Sequence, residues 1–522
     1  MTVFNHADLF EGIADVIPDR LALVCGEEHL TYAELDRRAN RLAHALLAQG
    51  VRAGQHVGMQ LYNGIEYATA LLATFKIRAV PINVNYRYVE AELTYLYGNS
   101  EIVALFYDTE FDDRVAAVAP DFPGLRLLVA VGGQTTVPEA HEYEVLVSGQ
   151  PETRGFEPRS EDDHYIIYTG GTTGMPKGVV WGVKDMLFSF ANPTYPPPET
   201  PQGWIDHAAS SGLLTMMSVA PLMHGAAQMN TWIAWWMGAT MVYVRKFDAD
   251  TIWRTIGREK VNSLTVTGDA MAIPLADALE GGDYDLSSLY AFVSTGAILT
   301  GTVRDRIASL LPNVMILDRF GSTESGSTAQ AMPGSSPEKG LRFASDVPDV
   351  AVLDESLRPV EPGSGVLGQL ARTGFIARAY YNDPDKTAKT FPVVDGRRWL
   401  LTGDIATVEK DGTIAVFGRG SQAINTGGEK VYPEEIEAVL KGHPAVFDAV
   451  VTGIADERFG SRVAAVVQLR EGGATSEELD AHCRRELSGY KVPRTYAFVP
   501  EMRRSPAGKA DYRWAKEVAE QA

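Results

Sequence analysis

The chain reads as an α/β protein, with a large N-terminal domain of packed α/β sheets over residues 1–418 and a small α+β C-terminal domain over residues 419–522. Three observations predict this. At 522 residues the chain exceeds what one hydrophobic core usually supports, so two or more domains are expected. Short apolar runs alternate with helical patterns along most of its length, as in a sheet covered by helices. Finally, the Gly-containing stretch Phe417-Gly418-Arg419-Gly420-Ser421 precedes a compact segment of about a hundred residues, a suitable size for a small domain on a hinge.

The elements follow in order. Thr31 to Gly50 predicts a capped amphipathic helix: Thr31 and Glu34 form a capping-box pattern, Leu35, Ala39, Leu42 and Leu46 make one stripe, and Gly50 supplies the stop. Apolar runs at Val57–Leu61, Ala79–Val84 and Ile102–Phe106 read as strands, with helical patterns at Glu66–Ile77 and Val89–Tyr97. Similar units return at Leu264–Val266 and Ala291–Val293. Asp411-Gly412 between two apolar runs reads as a hairpin turn. Beyond the hinge, Glu434–Leu440 and Ser476–Leu487 look helical, and Ala449–Val451 and Ala464–Leu469 look like strands.

Composition excludes several classes. Lys plus Arg is 47 against Asp plus Glu at 67, a net charge of -20, so no broad basic field exists for nucleic acid. Two distant cysteines, Cys25 and Cys483, do not make a disulfide framework and fit a reducing cytoplasm. Neither has the further ligands that a metal site needs, so both read as packing residues. The N-terminus is interrupted by Asp8, Glu11, Asp15 and Asp19, unlike a signal peptide. No transmembrane segment is expected: the most apolar stretch, Leu213 to Val244, contains Pro221, His224, Gln228 and Asn230 and reads as core or ligand pocket.

The most informative segment is Tyr168-Thr169-Gly170-Gly171-Thr172-Thr173-Gly174-Met175-Pro176-Lys177-Gly178, after the strand-like run His164–Tyr168. Closely spaced glycines let backbone N–H groups approach anionic oxygens, three threonine hydroxyls add donors, and Lys177 supplies a compact positive charge. No Gly-Lys-Ser/Thr closes it, so it is not a Walker A loop; the plain alternative is a Gly/Thr-rich surface turn. The loop resembles the signature of the superfamily of acyl-CoA synthetases, luciferases and peptide-synthetase adenylation domains, and its spelling is similar to bacterial fatty-acyl-CoA and steroid-side-chain-acyl-CoA ligases. The resemblance runs collinearly from about Leu30 to Lys509, which is more specific than any one motif. It implies a large adenylate-forming domain with a small mobile C-terminal domain, and ATP contacts from Thr169 through Gly174 and from Lys177, with Thr169 also beside the metal.

Phe320-Gly321-Ser322-Thr323-Glu324 follows the apolar run Val314–Leu317. A carboxylate after a tight turn can hold Mg²⁺ against phosphate oxygens, or is simply an exposed loop glutamate. The resemblance implies Glu324 as the Mg²⁺ residue, Thr323 as a catalytic phosphate contact, and Gly321 and Ser322 beside the nucleotide. Phe320 stands where tyrosine is usual and Arg319 where glycine is common, so Arg319 bears on the neighbouring acyl channel. By resemblance again, Thr295, Gly296 and Ala297 lie along adenine, with Asp318 nearby. Asp404, in Trp399-Leu400-Leu401-Thr402-Gly403-Asp404, sits after an apolar strand, where a carboxylate can accept both ribose hydroxyls or merely shape a turn. The resemblance favours ribose, with Arg419 as a second nucleotide contact; Ser421 stands where relatives carry a hinge Asp or Lys.

Pro221-Leu222-Met223-His224-Gly225 is similar to the family's Pro-x-x-His motif, which implies His224 and Gly225 at the acyl carboxylate; a histidine on an apolar segment is otherwise a core residue. A carboxylate nucleophile is already ionised at neutral pH, so His224 is not needed as a base. Part of Met216–Trp236, rich in Met and Trp, is expected to line the acyl site, although such residues also build cores. In Asn425-Thr426-Gly427-Gly428-Glu429-Lys430, paired glycines permit close approach of a thin pantetheine arm, and the resemblance implies Gly427, Gly428 and Lys430 as coenzyme A contacts. Arg504-Ser505-Pro506-Ala507-Gly508-Lys509 matches the family's Pro-x-Gly-Lys motif and implies Lys509 as the catalytic lysine of adenylate formation.

The implied reaction has two halves: a hydrophobic carboxylate attacks the α-phosphate of Mg-ATP, then the thiol of coenzyme A displaces AMP. Positioning and charge do the catalysis, and the small domain rotates between steps. Fatty, aryl and steroid-side-chain acids stay open as substrates, and a homodimer is compatible with this reading. The competing expectations are an adenylation enzyme serving a separate carrier protein, a luciferase-like oxidase, and a non-catalytic nucleotide-binding regulator. Lys177, Glu324, Asp404 and Lys509 together argue against the last.

Overall fold

A computed structural model describes residues 2–169, 175–190, 196–297, 299–330, 341–343, 349–426, 429–456, 460–505 and 508–522. Two eight-stranded sheets dominate the N-terminal domain. One has the spatial order Ala379–Tyr380, Lys177–Gly182, His164–Thr169, Val80–Asn83, His56–Gln60, Ile102–Asp108, Leu127–Val131 and His141–Glu142. The other runs Gly326–Gln330, Met315–Ser322, Ala291–Thr295, Ser263–Val266, Thr215–Ser218, Thr240–Tyr243, Leu21–Cys25 and Glu28–Thr31. Their centres are parallel, which buries both faces and explains why the strands read as short apolar runs. A third sheet, Leu341–Phe343, Ile414–Arg419, Leu400–Val408, Gly368–Arg372 and Val350–Leu353, is antiparallel.

Helices Tyr32–Ala48, Ile65–Lys76 and Gly225–Trp236 pack against the inner faces of the two large sheets, whereas Glu90–Ser100 and Asp112–Val118 cover the other face of the first over a separate apolar cluster. Tyr32–Ala48 starts where its capping box predicts: Thr31 Oγ1 accepts from Glu34 N at 3.2 Å, and Glu34 Oε2 accepts from Thr31 N at 2.8 Å. One continuous apolar cluster joins this helix to Ile65–Lys76, Gly225–Trp236 and the inner faces of both large sheets. The Met and Trp residues of Met216–Trp236 require a correction, because most of them are core. Trp232, Trp235 and Trp236 are at most 2% exposed, and Met217, Met223 and Met229 are buried beside them. What stays half-buried on the Gly225–Trp236 helix and its C-cap is the stripe Ala226, Asn230, Ile233 and Met237.

The C-terminal domain has its own sheet: Glu429–Val431, Ile424–Thr426, Gly460–Leu469 and Val446–Asp456, with Thr495–Val499 parallel to Gly460–Leu469. Helices Pro433–Lys441 and Ser476–Glu486 cover one face and Tyr512–Ala519 covers the other, each over a separate apolar cluster. Cys483 is buried in the first of these; neither it nor Cys25 is in a disulfide. Among the described residues, no helix is long and apolar enough to cross a membrane.

Candidate active site

The segment expected to cradle phosphate lies between two paired strands, His164–Thr169 and Lys177–Gly182, with Thr169 opposite Lys177 and Tyr168 opposite Gly178. Strand pairing therefore fixes both feet of the loop. Gly170, Gly171, Thr172, Thr173 and Gly174 lie outside the described residues. Lys177 Nζ is 3.5 Å from Asp383 Oδ2 and 5.7 Å from the centre of the Tyr380 ring. A buried asparagine that sequence reasoning missed clamps the N-terminal foot. Asn83 Oδ1 accepts from Tyr168 N at 2.7 Å, while its Nδ2 donates to Tyr168 O at 2.8 Å and to Met223 O at 2.6 Å. One side chain thus ties the phosphate hairpin to the segment ending in His224. The available signal was a lone amide at the end of an otherwise apolar strand.

Glu324 needs a small correction. Phe320, Gly321 and Ser322 belong to the strand Met315–Ser322, and Thr323–Ser325 forms the turn into Gly326–Gln330, so the carboxylate sits within the turn rather than after it. Several bonds from other elements hold that turn. The buried Trp181 donates Nε1 to Thr323 O at 2.8 Å, Ala377 N donates to Glu324 O at 3.1 Å, and Tyr380 donates its hydroxyl to Glu324 Oε1 at 2.8 Å. Tyr380 therefore touches both the phosphate-loop lysine and the metal candidate. No sequence signal distinguished it from other tyrosines.

Asp404 also departs from expectation: it lies inside the strand Leu400–Val408, opposite Arg419, rather than at a strand end. The strand continues because Thr402–Asp404 bulges away from Gly368–Arg372, with Gly403 at φ +81 supplying the left-handed residue. Asp404 is buried. The side chains of Arg419 and Lys430, like Gly427 and Gly428, are outside the described residues. Arg372, from the neighbouring strand, donates to Ser325 O and Ser327 O and so couples this sheet to the Glu324 turn. Thr295 ends its strand, Gly296 turns at φ +79, and Ala297 follows. Ser294 and Thr295 pair with Asp318 and Arg319. Burial pushes the Asp318 carboxyl up to about 6, opposed by Arg304 at 3.5 Å and reinforced by the charge of Asp269. Arg319 has its Nε enclosed without a hydrogen-bond partner among the described residues.

His224 is the N-cap of the Gly225–Trp236 helix, and a methyl group placed on Gly225 would stand 3.6 Å from Thr323 Oγ1. The motif at 221–225 and the motif at 320–324 therefore meet. Burial, with the charges of Lys509 and Arg87, holds the His224 imidazole down to about 3, so it is neutral at physiological pH. The influence of Lys509 is informative, because it brings the C-terminal domain's lysine to the N-terminal domain's histidine. Gly508, at φ +73, makes this approach: a Cβ there would meet Ala270 Cβ at 2.9 Å and Thr267 O at 3.1 Å. Lys509, Thr323, His224 and Gly225 are thus gathered into one region, with Glu324 and Lys177 joined to it through Tyr380.

Composition gave no hint of a basic cleft of about 420 Å³ that begins at Pro221. Arg87, Arg114, Arg245 and Lys246 line it with Tyr62, Tyr86 and Phe111. Arg245 lies 2.5 Å from Asp108, Lys246 lies 3.0 Å from Glu110, and both cations stand over the Tyr62 ring. The cleft is assembled from segments far apart in sequence, so a net charge of -20 concealed it.

Residues 10–381 match the family described as AMP-binding enzyme, and residues 435–509 match the AMP-binding enzyme C-terminal domain. A medium/long-chain-fatty-acid–CoA/3-oxocholest-4-en-26-oate–CoA ligase of Mycobacterium tuberculosis is 47% identical over 99% of this chain and 96% of its own length. A 3-oxocholest-4-en-26-oate–CoA ligase of Rhodococcus rhodochrous is 45% identical over 98% and 95%. The anthranilate CoA ligase AuaEII, solved with anthranoyl-AMP, superposes with a TM-score of 0.87 at 23% identity, covering 100% of this chain and 99% of that one, which shows the shared fold. The chain belongs to the AMP-binding enzyme family, as an AMP-forming acyl-CoA ligase that uses ATP to join a hydrophobic carboxylic acid to coenzyme A.

Proposed function

We propose that the acid is a long aliphatic or steroid-side-chain carboxylic acid, activated beside His224 and Thr323. The observation that carries this reading is the near-full-length similarity to ligases named for those acids. The half-buried stripe Ala226, Asn230, Ile233 and Met237, leading away from His224, supports it with a largely apolar surface of helical length.

In the first step the acid's carboxylate oxygen attacks the α-phosphorus of ATP, the α–β phosphoanhydride bond breaks, and pyrophosphate leaves. Thr169–Gly174 and Lys177 take the phosphates, Thr295–Ala297 and Asp318 flank adenine, Asp404 and Arg419 take the ribose, and Gly321–Thr323 complete the wall. Lys509 offsets the negative charge that develops at the α-phosphate. The neutral His224 and the N-terminus of its helix face the acid's carboxylate without removing a proton. Glu324 is suited to the Mg²⁺ that accompanies ATP: it is a hard carboxylate with one oxygen fixed by Tyr380, and no cluster of three His, Cys, Asp or Glu exists among the described residues. Glu324 and the Thr169 hydroxyl would hold Mg²⁺ together with the triphosphate. Bound there, Mg²⁺ would neutralise phosphate charge.

In the second step the thiol sulfur attacks the acyl carbonyl carbon, the bond to AMP breaks, and the thiol proton passes to solvent. We assign the cleft of Arg87, Arg114, Arg245 and Lys246 to the nucleotide phosphates of coenzyme A, with Tyr62 and Tyr86 available to its adenine. The pantetheine arm would then pass Pro221 toward His224, met by Gly427, Gly428 and Lys430. We place the domain boundary at 418/419, at the end of the strand Ile414–Arg419 and just before the turn Gly420–Gln422, and the enzyme in the cytoplasm, where two unpaired cysteines fit.

The test is a comparison of kcat/KM for acyl-CoA formation across saturated fatty acids, benzoate-type acids and 3-oxocholest-4-en-26-oate. Fatty or steroid acids should exceed aryl acids by at least about a hundredfold, the scale of several buried methylenes. Preference for an aryl acid would overturn the assignment.

A further inference from the structure

The seam between the domains contains a run of buried charges, of which only Arg504 adjoins a motif, the one ending in Lys509. Asp269 stands in the first turn of the helix Gly268–Gly281 of the N-terminal domain. Its Oδ1 accepts from Thr300 N at 2.9 Å, and its Oδ2 accepts from Lys441 Nζ at 3.2 Å. Lys441 ends the helix Pro433–Lys441 of the C-terminal domain and also lies 3.4 Å from Asp448 Oδ1. Asp448 in turn binds Arg504 through both carboxylate oxygens, at 2.5 and 2.7 Å. Arg504 Nη1 donates to Gly508 O at 3.0 Å, one peptide from Lys509. Side-chain exposure is 5% for Asp269, 7% for Lys441, 9% for Asp448 and 16% for Arg504. A second cross-domain pair, Arg470 with Asp277 at 3.6 Å, is about one-third exposed and contributes little.

We infer that Asp269, Lys441, Asp448 and Arg504 form a positioning relay that docks the C-terminal domain for adenylate formation and aims Lys509 into the site. The inference rests on Lys509 being the adenylation lysine. Each link has a physical reason. A buried carboxylate beside a buried ammonium is strongly held while both are dry, and loses its partner when either moves away. Asp269 is the N-terminal domain's end of the relay, and the other three residues move with Lys509. When the C-terminal domain rotates, Lys441 keeps Asp448, and Asp269 keeps its bond from Thr300 and regains water. The relay therefore favours one pose without locking it. The left-handed Gly508 against Thr267 and Ala270 sets the distance, and the Asp269–Lys441 bond sets the registration.

The test separates the half-reactions in Asp269→Asn, Lys441→Gln and the double variant, with Lys509→Ala run alongside. Asparagine keeps the acceptor for Thr300 and removes only the charge, so folding is preserved even if Lys441→Gln loosens the small domain. Single-turnover pyrophosphate release should fall about tenfold or more in each single variant. The double variant should be no slower than the slower single. Thioester formation from supplied acyl-adenylate and coenzyme A should be unchanged or faster, because the competing pose is weakened; a merely structural role would slow both steps. Equal loss of both half-reactions, or unchanged pyrophosphate release in Asp269→Asn, would overturn the relay. Full adenylation activity in Lys509→Ala would instead reject the role of Lys509 itself.

Discussion

The hairpin of His164–Thr169 and Lys177–Gly182 and the Lys509 loop, which we assign to one site, are held in opposite ways. The hairpin is sealed into the N-terminal domain by strand pairing, by the three hydrogen bonds of Asn83 and by the Trp181 bond to Thr323. The Lys509 loop reaches the same place through a glycine contact and a chain of ion pairs that crosses the seam once in buried form. Apolar packing is costly to break because it exposes apolar surface to water, and a buried amide is costly to leave without its partner. Ion pairs can exchange a partner for water. The difference fits the division of labour we propose, in which the hairpin cradles ATP throughout the first step and the lysine arrives and leaves.

The sharpest way to break this comparison is to disable one part of the mobile domain at a time. Lys509→Ala should slow adenylate formation by about 10²–10³-fold and largely spare thioester formation from supplied acyl-adenylate. Gly428→Leu should do the reverse, by obstructing the thiol; equal loss of both steps in both variants would favour one fixed geometry. On the fixed side, Glu324→Gln and Asp404→Ala each remove a charged hydrogen-bonding group. Each should weaken productive use of ATP by roughly ten- to hundredfold, read as kcat/KM for Mg-ATP. Unchanged ATP kinetics in folded protein would reject both roles.

Asn83→Ala sharpens the contrast further, since it attacks the clamp without touching substrate. It should lower unfolding free energy by about 2–3 kcal/mol, because the Tyr168 amide and carbonyl lose a buried partner, and change turnover only a few-fold. A turnover loss as large as that of Lys509→Ala would place Asn83 in the chemistry. The smallest effect concerns pH. His224 is held down to about 3, so the unfolded chain takes up its proton first as pH falls below about 6.5. Stability linked to His224 is therefore complete above pH 6.5 and declines toward pH 3. His224→Gln should flatten that decline in melting temperature and leave the shape of the activity profile between pH 6 and 8 unaltered. A limb near pH 6.5 that vanishes in the variant would show instead that the imidazole titrates in the reaction.

Sequence made the locally encoded parts legible. The Thr31 capping box, the Asp411–Gly412 hairpin and the strand His164–Tyr168 depend on near neighbours, and each formed where the residues imply. The two-domain α/β architecture was legible for the same reason. Residues whose importance lies in a distant partner were not. Asn83 matters through Tyr168 and Met223, Tyr380 through Glu324, and Asp269 through Lys441, with separations that no periodicity records. The Met and Trp content of 216–236 misled in a different way. Apolar side chains of that size suit a pocket or a core equally, and only burial in the core cluster distinguishes them.

The central claim is that adenylate forms first, with the C-terminal domain docked, and without any need for coenzyme A. Acid-dependent exchange of labelled pyrophosphate into ATP, measured on the wild-type enzyme with a fatty or steroid acid and no coenzyme A, tests it most directly. The account predicts rapid exchange that requires the acid, followed by stoichiometric AMP and acyl-CoA once coenzyme A is added. Exchange that appears only when coenzyme A is present, or formation of ADP in place of AMP, would contradict it.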